Sequence, residues 1–278
     1  MARIGLVLHG AEPQALKEAE RISASLGEQG HKVVSVAEDV PAGSAITQVD
    51  AANFADGLDL AISLGGDGMM LRTVGMLCGS DVHILGVNFG DLGYLTVIEP
   101  GELDTAVDRA LSGDYTIEER MLVSGKVGGH EFHALNDLVV ERAPGNTTVR
   151  IGVTIDDKPF TAYPADGLIL ATPTGSTAYS LSARGPIVYP THTAMLLTPV
   201  SPHMLFDRSL VLRPDSVVEL TIEGHRDGIV SVDGNTMHTM SPGDTMVCTA
   251  SNHVARLVTF DRRDNLGVLK VKLGIADR

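Results

Sequence analysis

Tryptophan is missing from this 278-residue sequence, and aromatic residues make up only 4 % of it. So few ring faces argue against a protein that grips single-stranded nucleic acid by stacking. Positive charge is scarce as well. The 21 Lys and Arg stand against 35 Asp and Glu, a formal net charge of −14, where a phosphate-backbone partner would want clustered cations. Cysteine occurs only at Cys78 and Cys248, far apart and in apolar settings, which reads as two buried thiols in a reducing cytoplasm. No stretch approaches the ~20 apolar residues of a membrane span. The opening MARIGLVLHG has one cation and an apolar run too short for a secretory leader. A soluble, cytoplasmic protein with neither a nucleic-acid nor a membrane partner is expected.

Common catalytic signatures are also absent. Gly125-Lys126 runs into Val127 without the upstream glycine of a P-loop. Leu8-His9-Gly10 supplies a single glycine after the first strand, so the Rossmann dehydrogenase fingerprint is missing. The string TPTGSTA around Ser176 fails the nucleophile-elbow pattern, and no HExxH or Cys/His pair offers a zinc site.

What is present is an ordinary globular composition, 44 % hydrophobic and 20 % charged, in a chain long enough for two domains. From Ile4 to Leu111 strand-like and helix-like segments alternate. Apolar runs at 4–8, 33–36, 58–64 and 82–87 read as strands. Ala15, Ala19, Ile22 and Leu26 mark one helical face, Met69 to Cys78 a second helix, and Leu103, Val107 and Leu111 a third. Such alternation predicts a Rossmann-like parallel sheet covered by helices, with ligands outside the strand carboxyl ends. The stretch 41–53 is ambiguous. After Tyr115 short alternating strands take over, at 119–127, 131–140, 150–155, 159–163, 167–171, 217–223, 229–232, 245–249 and 254–260. Gly128-Gly129, Asp156-Asp157 and Asp233-Gly234 serve as hairpin signals. A mainly-β, sandwich-like second domain is predicted, and 265–272 reads as a short terminal helix.

Gly65-Gly66-Asp67-Gly68 falls where the strand ending at Leu64 must stop and a helix can begin. Glycines there let backbone amides approach a phosphate, and the helix N-terminus adds partial positive charge. A carboxylate at such a turn suits two roles: acceptor of a hydroxyl proton, or indirect ligand of the magnesium that travels with a nucleotide. Arg72, five residues on, can face the phosphates or lie on the surface. In Thr172–Pro186, Pro173 and Gly175 force a turn, and Ser176 is a plausible N-cap. Thr177 to Arg184 can form two helical turns, with Tyr179 and Ser182 on one face. Converging hydroxyls and open amides suit a polar sugar or phosphate; a capped surface helix is the plainer alternative. Asn136-Asp137 are depleted residue types for a strand, explained by a bulge, an edge or a ligand. Asn88 and Gly90-Asp91-Leu92-Gly93 form another strand-to-loop turn, with Tyr94 and Leu95 able to pack on a base.

Four motifs in order, GGDG at 65–68, GVNFGDLGYL at 86–95, LNDLVVER at 135–142 and DGLILATPTGSTAYSLSARGPIV at 166–188, together resemble the NAD kinase family. Its members phosphorylate the adenosine-ribose 2′-hydroxyl of NAD. The resemblance continues to the terminal VLKVKLGIADR. It implies that NAD and ATP are the substrates, ATP acting as its complex with Mg2+ or another divalent cation held mainly by the triphosphate and water, with no protein metal cage. It implies Asp67 as the base, with Gly65, Gly66, Gly68 and Arg72 toward the phosphate donor. Asp67, Gly68 and Arg72 would also touch NAD. So would Asn136, Asp137 and Asp166, then Thr174, Thr177, Ala178 and Tyr179, then Ser180, Leu181, Ser182 and Asn235. A phosphate-donor domain at 1–118, completed by 261–278, and an NAD-binding domain at 119–260 follow, as does a homodimer or homotetramer. Polyphosphate as donor stays open. So do two other readings, a lipid or sugar kinase sharing the GGDG turn and a dinucleotide sensor without transfer. The chain departs from the family at Met69 (usually Thr), Pro164 (often basic), Arg184 (usually Gly) and Asn235 (often Gln).

Overall fold

The computed structural model describes residues 1–9, 12–90, 93–96, 98–145, 148–260 and 264–275. Asp91 and Leu92, expected in the turn after Asn88, lie outside the described residues. The chain forms two compact units, Met1–Glu119 with Ala255–Arg278, and Arg120–Val254.

The first unit opens with β1 (Arg3–Leu8), α1 (Pro13–Glu28), β2 (Lys32–Val36) and β3 (Thr47–Val49). A 3₁₀ turn at Ala51–Asn53 leads to β4 (Leu60–Gly65), α2 (Asp67–Met76), β5 (His83–Asn88) and α3 (Leu103–Ser112). The strands run parallel in the order β5-β4-β1-β2-β3. Ala15, Ala19, Ile22 and Leu26 of α1 are buried, the face their spacing predicts. From β1 the chain moves to β2 and β3 on one side and then crosses to β4 and β5 on the other. The carboxyl ends of β1 and β4 therefore mark the point where connections diverge, the usual ligand crevice of an open α/β sheet.

The chain continues through β6 (Thr116–Val127), β7 (His130–Ala134), β8 (Asp137–Arg142), β9 (Val149–Ile155), β10 (Lys158–Ala165) and β11 (Gly167–Ala171). A 3₁₀ turn at Thr174–Thr177 precedes α4 (Tyr179–Ser182). Then come β12 (Met195–Val200), β13 (Leu210–Leu212), β14 (Val218–Glu223), β15 (Gly228–Val232), β16 (Asn235–Met240), β17 (Thr245–Thr259) and α5 (Asn265–Lys272). In the second unit a six-stranded antiparallel sheet, β13-β12-β11-β8-β15-β16, shares one core with β10-β9-β14-β17 and the β6-β7 pair. Alternate residues meet there: Leu138 and Val140, Leu168 and Leu170, Ile151 and Val153, Leu220 and Ile222. That is the sandwich expected. The three hairpin signals all carry two successive positive φ values, 57° and 79° at Gly128-Gly129, 50° and 61° at Asp156-Asp157, 47° and 82° at Asp233-Gly234. These match the primed turns that right-twisted strands require.

Several expected elements differ. The run 131–140 is two strands, because the chain bends at Leu135-Asn136. The expected strands 245–249 and 254–260 are one strand of 15 residues, Thr245–Thr259, because Ser251-Asn252-His253 between them continues extended. Strands β12, β13 and β16 carry no expectation from the sequence. Thr177–Arg184 is not a two-turn helix: Ala178, at φ −100° and ψ −129°, separates the 3₁₀ turn from the four residues of α4. Cys248 is buried, but Cys78 is only partly so.

Candidate active site

Asp67 is the first residue of α2, directly past the carboxyl end of β4. Its Oδ2 accepts the Tyr94 amide at 2.9 Å, and its Oδ1 accepts that of Leu95 at 2.8 Å. The Lys272 ammonium stands 3.0 Å from Oδ2. Gly93 has to be glycine for this arrangement, since a Cβ there would lie 2.2 Å from Thr96 Oγ1 and 2.7 Å from Asp67 Oδ1. The Asp67 side chain nevertheless keeps 30 % of its surface open, so the ion pair does not seal it from a substrate.

Gly66 is the N-cap of α2 and supplies no side-chain cap. A Cβ on Gly66 or on Gly68 would meet nothing within 4 Å. Their value is the open space they leave before the amides of a helix N-terminus. A cleft of about 410 Å³ occupies that space, lined by His9, Glu12, Gly65, Gly66, Gly68 and Phe89 among others. Arg72 is committed elsewhere: its guanidinium lies 2.7 Å from the buried Asp39 carboxylate. Burial raises Asp39 above the ordinary carboxylate range, against the pull of Arg72. Asn88, at the end of β5, is buried; its Nδ2 donates to the Gly90 carbonyl at 3.2 Å, and its Oδ1 has no partner.

In the second unit a groove of about 300 Å³ gathers Asn136, Asp137, Ala178 and Tyr179 with Glu141, Ser231, Asp233 and Gly234. The Asp233 carboxylate accepts the amides of Leu135, Asn136 and Asp137 at 3.0, 2.7 and 3.1 Å, which holds the bend open. Burial, and then the neighbouring Asp233 charge, push Asp137 up to about 7. Asp233 is itself raised by burial, opposed by its three amide bonds. Burial also raises the Tyr179 phenol, with the carboxylates of Glu141, Asp166 and Asp137 acting in the same direction.

The Thr172–Thr177 turn is bound to this bend. Thr172 Oγ1 donates to the Leu135 carbonyl, the Thr172 amide donates to Asn136 O, and the Gly175 amide donates to Thr172 Oγ1. Gly175 passes so close that a Cβ would sit 2.0 Å from Asn136 O. Thr174 is buried and accepts from the Arg120 guanidinium at 3.1 Å. Thr177 Oγ1 donates back to Thr174 O at 3.2 Å. Ser176 is no N-cap; its hydroxyl donates to Pro173 O and accepts the Val188 amide. Ser180 is buried against Thr198 Oγ1 at 3.2 Å, whereas Leu181 is half-buried and Ser182 exposed. Asp166 forms an ion pair with Arg142 at 2.9 Å. Asn235 is exposed at the start of β16. Of the expected contacts, then, Asn136, Asp137, Ala178 and Tyr179 share one groove, while Thr174, Thr177 and Ser180 are held by neighbouring backbone and side chains.

Sequence reading missed Glu141 and Ser231 in the groove and Lys272 at Asp67. The period-two rule, applied from Asp137 along β8, leads to Val139 and Glu141.

An open, glycine-walled helix N-terminus at strand carboxyl ends in one unit, and a carboxylate- and hydroxyl-lined groove in the other, define a nucleotide-binding α/β protein. Known proteins agree. The family descriptions "ATP-NAD kinase N-terminal domain" and "ATP-NAD kinase C-terminal domain" match residues 4–115 and 135–260. An NAD kinase of Heliobacterium modesticaldum is 38 % identical, over 98 % of this chain and 99 % of its own. One of Syntrophotalea carbinolica is 34 % identical over the whole of both. In fold, yeast NADH kinase solved with NADH superposes with a TM-score of 0.89 at 24 % identity, covering 100 % of this chain and 89 % of that one. An Archaeoglobus fulgidus NAD kinase solved with ATP gives 0.77 at 22 % identity, covering 99 % and 100 %. The chain belongs to the NAD kinase family, enzymes that phosphorylate NAD to NADP with ATP.

Proposed function

We propose that the γ-phosphoryl of ATP passes to the adenosine-ribose 2′-hydroxyl of NAD, with Asp67 taking the hydroxyl proton. The observation that carries this reading is the setting of Asp67: a carboxylate fixed by two amides and an ammonium, still open to solvent, on the first turn of a helix whose N-terminus is walled by glycine. Phosphoryl transfer asks little covalent chemistry of a protein. Alignment and charge stabilisation supply most of the rate. The amides of the Gly65–Gly68 turn would hold the donor phosphates. Asn136, Asp137 and Tyr179 would hold the dinucleotide through its hydroxyls and base, where an unmet buried hydrogen bond costs ~1–3 kcal/mol and so enforces selection.

Magnesium fits as a passenger of the triphosphate. Asp67 is the carboxylate of the turn, and three of the roughly four acceptor positions a carboxylate offers are filled. A metal ion would therefore keep phosphate and water ligands and reach Asp67 through water, neutralising phosphate charge. No described helix is long and apolar enough to cross a membrane, and our reading places the enzyme in the cytoplasm as a homo-oligomer.

A dehydrogenase-coupled assay for NADP on the native chain and on Asp67→Asn tests the assignment. Loss of the carboxylate is expected to lower kcat by at least ~10²–10⁴-fold, the range for a positioned base, while calorimetry still detects NAD binding. Equal turnover by the two proteins would remove Asp67 from the mechanism. Binding of NAD by the native chain without any turnover would leave a sensor.

A further inference from the structure

Lys272 lies at the end of α5, 205 positions beyond the carboxylate it touches. Its Nζ is 3.0 Å from Asp67 Oδ2 and 4.3 Å from the centroid of the Tyr94 ring. Tyr94 is also the residue whose amide donates to Oδ2, so one loop residue and one helix residue grip the same oxygen. The helix is capped by Asp264, whose carboxylate accepts the Gly267 amide at 2.8 Å. None of its residues is buried, and Leu266 and Val271 are 59 % and 69 % exposed. An element with so small an apolar footprint is placed by its specific polar contacts. Arg72, the cation expected beside the phosphates, is paired with Asp39; among the described residues the cation on Asp67 is Lys272.

We propose that Lys272 is a positioning residue for Asp67. Its ammonium fixes the carboxylate in the one orientation that leaves an acceptor position for a hydroxyl. Its charge offsets that of Asp67, so that an anionic triphosphate meets less repulsion at the adjacent glycine turn. Face-on contact with the Tyr94 ring keeps the ammonium in place, as a cation over an aromatic face is attracted to it. The inference rests on the reading of Asp67 as proton acceptor.

The test is steady-state kinetics on the full chain carrying Lys272→Ala, Lys272→Arg or Asp67→Asn, with methylammonium added as a replacement cation. Misplacing a reacting group by about 1 Å costs on the order of 10²-fold. Lys272→Ala should accordingly lose ~10- to 100-fold in kcat while KM for NAD stays within about threefold, the signature of an interaction made in the transition state. Methylammonium should restore part of that loss in Lys272→Ala and none in Asp67→Asn, and Lys272→Arg should retain more activity than Lys272→Ala. A native or raised kcat in Lys272→Ala would overturn the inference, and so would a loss that neither the amine nor arginine relieves, since that pattern reports only the docking of α5. Native turnover by Asp67→Asn would instead overturn the assignment of Asp67, whatever the lysine variants do.

Discussion

Arg184 has a φ of +66°, in the left-handed region where a Cβ crowds the following carbonyl oxygen. It stands where the family usually has glycine, and its backbone shows why glycine suits the position. Replacing Arg184 by Gly is expected to raise unfolding stability by about 1 kcal/mol, the left-handed penalty less the extra freedom glycine gives the unfolded chain; urea titration measures it, and an unchanged or lower midpoint would contradict the strain. At this scale the Gly65–Gly68 turn was legible, because strand, glycine and helix signals adjoin in sequence. Lys272 was not legible, since its spacing from Asp67 carries no periodic signal. Asp233 looked like a turn residue, and it is one, yet its carboxylate also collects three amides from a loop about a hundred positions earlier.

Elements fared according to how local their causes were. Alternating strands and helices in the first unit follow from periodicity and appear as read, because each buries a regular apolar face. The failures are places where long-range contacts override local propensity. Residues 131–140 break into two strands because Asp233 binds the bend, and Thr174–Ser182 is two short helical pieces because its turn is tied to that bend through Thr172 and Asn136. Strand β16, NTMHTM, went unread because its only strongly apolar residues are two methionines. The junction of the turn and the bend admits no Cβ at Gly175, since the obstructing atoms are the Asn136 backbone. Gly175→Ala should lift the turn and weaken NAD binding at least tenfold by calorimetry, a shift of ~1.4 kcal/mol, with circular dichroism still reporting a folded protein. Undiminished affinity would show that this junction does not shape the groove.

The molecule as a whole is acidic, and three of its carboxylates, Asp39, Asp137 and Asp233, are raised by burial. Each binds a proton more tightly folded than unfolded. Its contribution to stability is therefore full below the unfolded value near 3.8 and is lost as pH rises through the folded value, about 7 for Asp137. Mutual repulsion in a chain of net charge −14 acts in the same direction. The melting temperature is expected to fall as pH rises from 5 to 8, and Asp137→Asn should flatten that decline in calorimetric scans; an equal slope in both proteins would contradict the raised value.

Because the unit that carries Asp67 takes strands from the beginning of the chain and its last helix from residues 265–272, it cannot be finished in the order in which it is made. At about 5–20 residues per second, the 205 positions between Asp67 and Lys272 amount to roughly 10–40 s on the ribosome. During that interval the carboxylate waits without its ammonium, so the Asp67–Lys272 pair closes only after α5 has been translated.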